Sequence, residues 1–582
     1  MTPPPGGFLA VSGSAPDLAA AVAALGAEPE SSAAAYGGTV VVTAGLSPVE
    51  LPDGTRVATL ALGPRRHERD LTPADTAAAV TDPGGLLPPF AAARWSGDTV
   101  TAGVDRLGFR HLYSRRGDGW AALSTSARAL AALEPAGIDR TAVAAQGLLG
   151  WQLGDRTPFA GVSVVPAGAA VTLAAGGLAT AETVASDLAA PDRERPIGLD
   201  EAVDAAADLL RGHLEAFLDD HPDAVLQLTG GQDSRVLLGA VPAKRRPDLR
   251  VMTLSVPGSP DLEIAAGLAR RYGMTHDVVD LSGLEDLDPA AAHALAVDAA
   301  RRLDCSADPL AWAAVAFAEA KLEPRPRLAG LGGEVTRGFY YLGPARAVPV
   351  TERRVRRLAD WRLFPNESVP ADVLDPAYAD QARRDTLREL TAVLTAYGPD
   401  WLTATDRFYL RQRMHRWAGV LASATALDRL VVNPMLDDRF LDLAARLRPR
   451  DKQGSRFLAR LSCRLDEELS AIPLDGRPAP AVYAYPSVRN SAALAAMTGR
   501  KITGKVRQRL RRDSRPPVGG EVLAAKVAEF YREQPAALEA VAGLGVFRAD
   551  WLAAVADGSA GLAPAAAAML VNLEVATVTR PG

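Results

Sequence analysis

Up to about residue 190, apolar positions fall in short runs that alternate with polar ones and are broken by Gly, Pro and Asp. Gly38–Thr43, Thr99–Val104 and Ala169–Leu173 are runs of this kind, and they predict a largely antiparallel β region with some helix. A charged stretch bounded by prolines, Pro191–Pro196, then reads as a linker. Beyond it the period changes. Leu199–Leu218 carries apolar residues at helical spacing, and such segments alternate with short apolar strands at Ala224–Leu228 and Leu249–Leu254. Strands that alternate with helices predict a parallel sheet with helical crossovers. From about Trp361 onward helical spacing dominates, and no internal repeat is visible.

A chain of 582 residues is too long for one ordinary domain. With 48% hydrophobic and 23% charged residues it can bury sizeable cores, although alanine-rich segments raise the first figure without specifying a function. The net charge of −5 gives no global electrostatic case for nucleic-acid binding. The basic run from Arg500 to Arg512 is a local exception, read as a solvated helix face or loop, or as a docking patch for an acidic partner. Cys305 and Cys463, far apart and outside any CxxC or Cys/His cluster, are expected to be reduced, buried thiols. No apolar run reaches a membrane span, and the N-terminus lacks the parts of a signal peptide. The expectation is a cytoplasmic protein that meets neither membrane nor nucleic acid.

The most informative segment is Leu226–Arg235, an apolar strand running into Thr229-Gly230-Gly231-Gln232-Asp233-Ser234 and then a helical stretch. Two glycines let the backbone bend sharply and turn successive N–H groups toward an anion. The hydroxyls of Thr229 and Ser234 add donors, and the new helix presents its positive end. An aspartate would repel phosphate there unless it holds Mg²⁺, which bridges phosphate oxygens. The Walker spacing is absent, so this is a different kind of pyrophosphate cradle. Three further segments follow in order: Ser255–His276, with the strand end Leu254 before it; Leu328–Glu334, a second strand entering a glycine-rich turn that ends in a carboxylate; and Val431–Phe440, followed by Leu447–Lys452 and Arg456–Arg460.

These four segments resemble, in that order, the synthetase domain of class B asparagine synthetases, over roughly residues 200–470. Gly103–Tyr113, Thr157–Val162 and Pro166–Gly168 resemble signatures of the glutaminase domain of the same family. The resemblance implies an α/β protein of two domains. Residues 1–190 would be an Ntn-hydrolase-like α+β sandwich. Residues 197–582 would be a pyrophosphate-loop (adenine nucleotide alpha hydrolase-like) synthetase domain with a helical C-terminal region. It also implies ATP and Mg²⁺ as cofactors, with Asp233 and Glu334 on the metal, Thr229, Gly230, Gly231, Asp233 and Ser234 on the phosphates, and the backbone near Leu228, Leu254 and Gly330 on adenine.

Departures from the family pattern define the subtype. The glutaminase nucleophile is an N-terminal cysteine, whereas here position 2 is Thr2, followed by Pro3-Pro4-Pro5. Glutaminase activity is therefore not expected, and the amine must come from a substrate. This pattern is similar to β-lactam synthetases and to the macrolactam-forming cyclases of lasso peptides, in which amine and acyl-adenylate are held together. Glu334 stands where the family usually has Asp, and Leu331 where β-lactam synthetases have a catalytic Tyr. The lysine that neutralises the phosphates and the tetrahedral intermediate falls in register at Arg456, with Lys452 one turn earlier and expected on the same helix face. Lys452 preserves the residue type; both stay open, with Glu334, as catalytic candidates.

The function so implied is adenylation of a carboxylate and its coupling to an amine. The favoured version closes a macrolactam in a ribosomal peptide, alongside a leader-peptide-binding or protease partner. The alternatives are a small-molecule amide or β-lactam synthetase, an ammonia-dependent amidating enzyme, or an inactive nucleotide-binding partner protein.

Overall fold

A computed structural model of the chain describes residues 7–26, 33–182, 196–255, 259–485, 490 and 519–577. Thr2 and its prolines, the 191–195 part of the linker, residues 256–258 and the basic run 500–512 lie outside the described residues. The protein is mixed α/β.

The first part is built from two antiparallel sheets. One has the order β12-β10-β11-β1-β3-β2, from β1 (Gly7–Gly13), β2 (Ala33–Tyr36), β3 (Thr39–Ala44), β10 (Tyr113–Gly117), β11 (Trp120–Ser124) and β12 (Val162–Val164). The other has the order β14-β13-β9-β8-β5-β4, from β4 (Val49–Glu50), β5 (Arg56–Thr59), β8 (Ala91–Ser96), β9 (Thr99–Val104), β13 (Ala169–Ala174) and β14 (Gly177–Glu182). A separate ribbon joins β6 (Arg65–Arg66) to β7 (Arg69–Asp70). The two-residue side-chain period explains the layering. Phe8 and Ala10 of β1 point into the core between the sheets, with Val100, Ala102, Val171 and Leu173. Leu9 and Val11 point the other way, onto helices. Both faces of β1 are thus buried, and it reads as a continuous apolar run.

The second part carries a parallel five-stranded sheet of order β17-β16-β15-β18-β19, from β15 (Val225–Gln227), β16 (Arg250–Leu254), β17 (Thr275–Val279), β18 (Arg327–Leu328) and β19 (Val431–Val432). The helices Gln232–Ala240 and Asp261–Tyr272 make the crossovers from β15 through β16 to β17. The chain then returns to the other side of β15 to form β18. The strand order therefore reverses at β15, and β15 and β18 send their C-terminal turns out side by side. In open parallel sheets this is where a crevice for ligands forms.

The two parts share their cores. Leu87, Leu107, Phe109 and Trp151 of the first pack into the cluster around the parallel sheet. The helices Gly520–Glu533 and Pro564–Thr577 pack into the cluster beneath β1. A polar clamp adds to this. Asp437, with a fully buried side chain, accepts hydrogen bonds from His213 Nε2 at 2.8 Å and His67 Nδ1 at 3.0 Å, and from Arg439 Nε at 3.0 Å. Next to it Asp438 pairs with Arg106 at 2.6 Å and accepts the Gly85 N–H at 2.7 Å. Burial alone would raise the Asp437 pKa, but the bonds from His213, Arg439 and His67 outweigh it and hold the carboxyl well below the usual range.

Replacing Asp437 by Ala takes the shared acceptor away from buried His213 and from His67 and Arg439, and is expected to cost about 1–3 kcal/mol of stability. Because the folded pKa is depressed, the carboxylate's contribution is present in full above its ordinary value of 3.8 and is lost as the pH falls below it. The gap in thermal midpoint between wild type and Asp437→Ala should therefore be open at neutral pH and close in strong acid. A constant gap would show that the charge is not what holds the clamp.

Candidate active site

Thr229 to Ser234 form the turn between β15 and the helix Gln232–Ala240. That helix starts at Gly231 with no side-chain cap, so the first-turn N–H groups have no side-chain acceptor. The two hydroxyls expected to face a ligand instead brace the turn. Ser234 Oγ accepts the Thr229 N–H at 3.1 Å, and Thr229 Oγ1 accepts the Gly231 N–H at 3.0 Å. Arg235 adds a clasp that sequence reading did not find. Its Nη1 donates to the Ile472 carbonyl at 2.8 Å and its Nη2 to that of Pro473 at 2.7 Å, while the Asp475 N–H donates to the Gly230 carbonyl at 3.0 Å. The 472–477 turn is thereby fixed across the loop, and the positive charge of Arg477 bears on Asp233.

The turn after β18 meets this loop closely. A Cβ on Gly330 would lie 2.9 Å from the Ser234 nitrogen, and one on Gly333 would overlap the Asp233 carboxylate. Gly332 has φ 114°, a left-handed conformation that side chains disfavour. This turn brings Glu334 to the same corner as Asp233, as the sequence reading requires. It also brings Arg337, whose guanidinium ion pairs with Asp233 and stands 3.7 Å from Glu334 Oε1. The Asp233 carboxyl is pushed up to about 6, first by loss of water, against the pull of Arg337 and with the push of Glu334. Among the described residues no group of three or more His, Cys, Asp or Glu side chains could hold a metal. Two carboxylates nonetheless fit Mg²⁺ that arrives with phosphate, since Mg²⁺ takes one or two carboxylates and fills its other positions with phosphate oxygens and water.

Of the three positions expected near adenine, Leu228 is engaged in the sheet. Its N–H donates to the Met252 carbonyl at 2.9 Å and its carbonyl accepts the Thr253 hydroxyl at 2.7 Å. Leu254 and Gly330 are half-buried at their strand ends. Leu331 is tied by its N–H to Asn433 Oδ1 at 3.3 Å, which links the turns after β18 and β19.

Lys452 and Arg456 do not lie on one continuous helix, contrary to the expectation. The short helix Pro449–Lys452 ends in a kink, with Gly454 at φ 73° and Ser455 at φ 60°, before the helix Arg456–Leu465 begins. The two side chains part accordingly. Arg456 pairs with Asp451 at 3.3 Å. Lys452, 3% exposed, donates to Asp406 Oδ2 at 2.8 Å, and the Tyr341 hydroxyl donates to the same oxygen at 2.9 Å. Lys452, Asp406 and Glu334 line one pocket, walled by the apolar side chains of Phe339, Tyr409, Leu410 and Leu441. Tyr409 opens a run of π-helical turns, Tyr409–Ala418, an irregularity that often marks functional sites. Its far end is buried against the first part of the chain, where the His111 Nε2–H donates to the His415 carbonyl at 2.9 Å.

The other sequence expectations fall outside the site. The carboxylates of the Val431–Phe440 segment serve the clamp, and His276, to which no role was given, meets the Thr253 hydroxyl at 2.9 Å. Cys305 is buried, its thiol pushed up to about 12 by burial, whereas Cys463 is only half-buried. No helix among the described residues is long and apolar enough to cross a membrane. No family model matches the chain, and no curated protein matches it.

The ion pair can be weighed directly. A double-mutant cycle with Lys452→Met and Asp406→Asn is expected to return a coupling of about 1–3 kcal/mol in thermal or urea unfolding. A coupling near zero would mean that Lys452 is held by its apolar neighbours alone.

Proposed function

We propose that the protein is an ATP-dependent, AMP-forming amide ligase of the asparagine-synthetase type, without glutaminase activity. The observation that carries this reading is the meeting of the two glycine-rich turns where the strand order reverses. There an open helix N-terminus, Asp233, Glu334 and Arg337 stand together, next to the pocket of Lys452. In this reading the fold is a degenerate Ntn-type sandwich joined to a pyrophosphate-loop domain, and both belong to the asparagine-synthetase-like class. The helix–sheet–sheet order of the first part and the 3-2-1-4-5 arrangement of the parallel strands support it.

The N–H groups at the start of the helix Gln232–Ala240 bind the β and γ phosphates, and the strand ends at Leu254 and Gly330 receive the adenine. Asp233 and Glu334 would hold Mg²⁺, which when bound neutralises charge on the phosphates. A substrate carboxylate attacks the α phosphorus, and pyrophosphate leaves. An amine then attacks the acyl carbon of the mixed anhydride and AMP departs. Lys452 stabilises the negative charge that develops on the tetrahedral carbon's oxygen. Its place in the pocket beside Glu334 favours it over Arg456. Asp406, which orients Lys452 and lines the same pocket, takes the proton the amine releases.

The pocket has largely apolar walls and a cavity volume of about 20 Å³. In this reading the favoured acyl group is a peptide side chain that carries the reacting carboxylate, as macrolactam closure demands, with its carboxylate directed to Lys452. The small volume of the pocket favours a second reading, a small-molecule amide ligase that takes a small carboxylic acid.

Purified protein given ATP, Mg²⁺ and candidate acids should release AMP and pyrophosphate with one class of carboxylate, and glutamine should make no difference. Asp233→Ala should abolish ATP–pyrophosphate exchange, and Lys452→Ala should slow product formation by about 10²–10³-fold. Release of ADP, or exchange that survives Asp233→Ala, overturns the assignment.

A further inference from the structure

In the free protein, two groups of the chain itself occupy the places that the reading above gives to ligand atoms. The Gly230 N–H, which a phosphate oxygen would engage, donates to Asp261 Oδ1 at 2.7 Å. Between the two carboxylates stands Arg337, ion-paired with Asp233 and 3.7 Å from Glu334 Oε1. Its Nε is buried and has no hydrogen-bond partner. The guanidinium is therefore held from one end only, by carboxylates, with one donor still unused.

Charge balance makes this arrangement selective. Asp233 and Glu334 together carry two negative charges in a poorly hydrated corner, and one guanidinium offsets half of them. A divalent cation added without an anion would put three positive charges against two, with the guanidinium in the position the metal needs. Repulsion at that range in a low-dielectric corner is severe. A triphosphate changes the sum. It supplies several negative charges within reach of Arg337, and a guanidinium binds phosphate through two parallel hydrogen bonds. Arg337 follows a tight turn, Gly333–Thr336, that fixes its backbone, so its long side chain can re-aim while the turn stays in place.

We propose that Arg337 is the resident counter-ion of the metal site, which it cedes only to a metal that arrives with nucleotide, turning its own guanidinium onto the phosphates. Asp261 completes the device on the anion side, releasing the Gly230 N–H as a phosphate oxygen takes its place. The proposal rests on the ATP-binding reading. It adds that divalent cation alone is excluded, so the carboxylates are kept for the metal–nucleotide complex.

The test is retention of Mn²⁺ by the protein, read as the excess metal on the protein side in equilibrium dialysis, with and without α,β-methylene-ATP. Wild-type protein is expected to retain Mn²⁺ only with the nucleotide. Arg337→Met should retain Mn²⁺ alone, at least about tenfold more tightly than wild type, and should bind the nucleotide about tenfold or more weakly. Arg337→Lys keeps the charge and should exclude free Mn²⁺ as wild type does. Should Arg337→Met fold poorly, Arg337→Gln and the wild-type titrations still decide. Mn²⁺ retained by wild-type protein without nucleotide, or by no neutral variant without it, overturns the proposal and leaves the ligase reading intact. Failure of wild-type protein to retain Mn²⁺ even with nucleotide removes the ligase reading, and this inference with it.

Discussion

Two backbone turns approach each other at the reversal of strand order, and only residues without a Cβ permit the approach. Gly330 sits against the Ser234 nitrogen and Gly333 against the Asp233 carboxylate. The closeness strips water from Asp233, brings Glu334 beside it and creates the need for a cation there. Arg337 meets that need from within the chain. The parallel sheet fixes the directions of the two turns, and the Arg235 clasp fixes the 472–477 turn over them. The chemistry of the corner is thus a product of steric exclusion first and of charge second.

Much of this was legible in the residue pattern, because the pattern is local. A strand that runs into Gly-Gly-x-Asp-Ser must turn where the glycines are, and the periods of 2 and 3.6 separated the antiparallel part from the parallel one. The pairing of Asp233 with Glu334 was implied by the family resemblance, each carboxylate ending a strand that enters a glycine-rich turn. Arg337, Asp406, Tyr341 and Arg477 escaped notice because no local spacing marks them. They reach the site through tertiary packing, from turns and helices that carry other arginines and tyrosines of equal promise. The placement of Lys452 and Arg456 on one helix failed for a specific reason. Gly454 and Ser455 take left-handed conformations, and a two-residue kink rotates everything after it. Asp437 and Asp438 sit in a motif-like segment to which the residue pattern gave no role, and they join the two parts of the chain through His213, His67 and Arg106.

The π-helical stretch Tyr409–Ala418 ties the first part of the chain to the pocket. One end supplies Tyr409 to the pocket wall, while the other is anchored by His415 against His111. The sandwich thereby acts as the jig against which that wall is set.

The sharing of cores also governs the order in which the chain can acquire its structure. β1 is made well before the helices that cover it, since its helix-facing side chains, Leu9 and Val11, belong to the cluster completed by Gly520–Glu533 and Pro564–Thr577. A contact of such long sequence separation closes late and slowly. Until it does, a nascent sandwich exposes an apolar face that is open to non-native contacts.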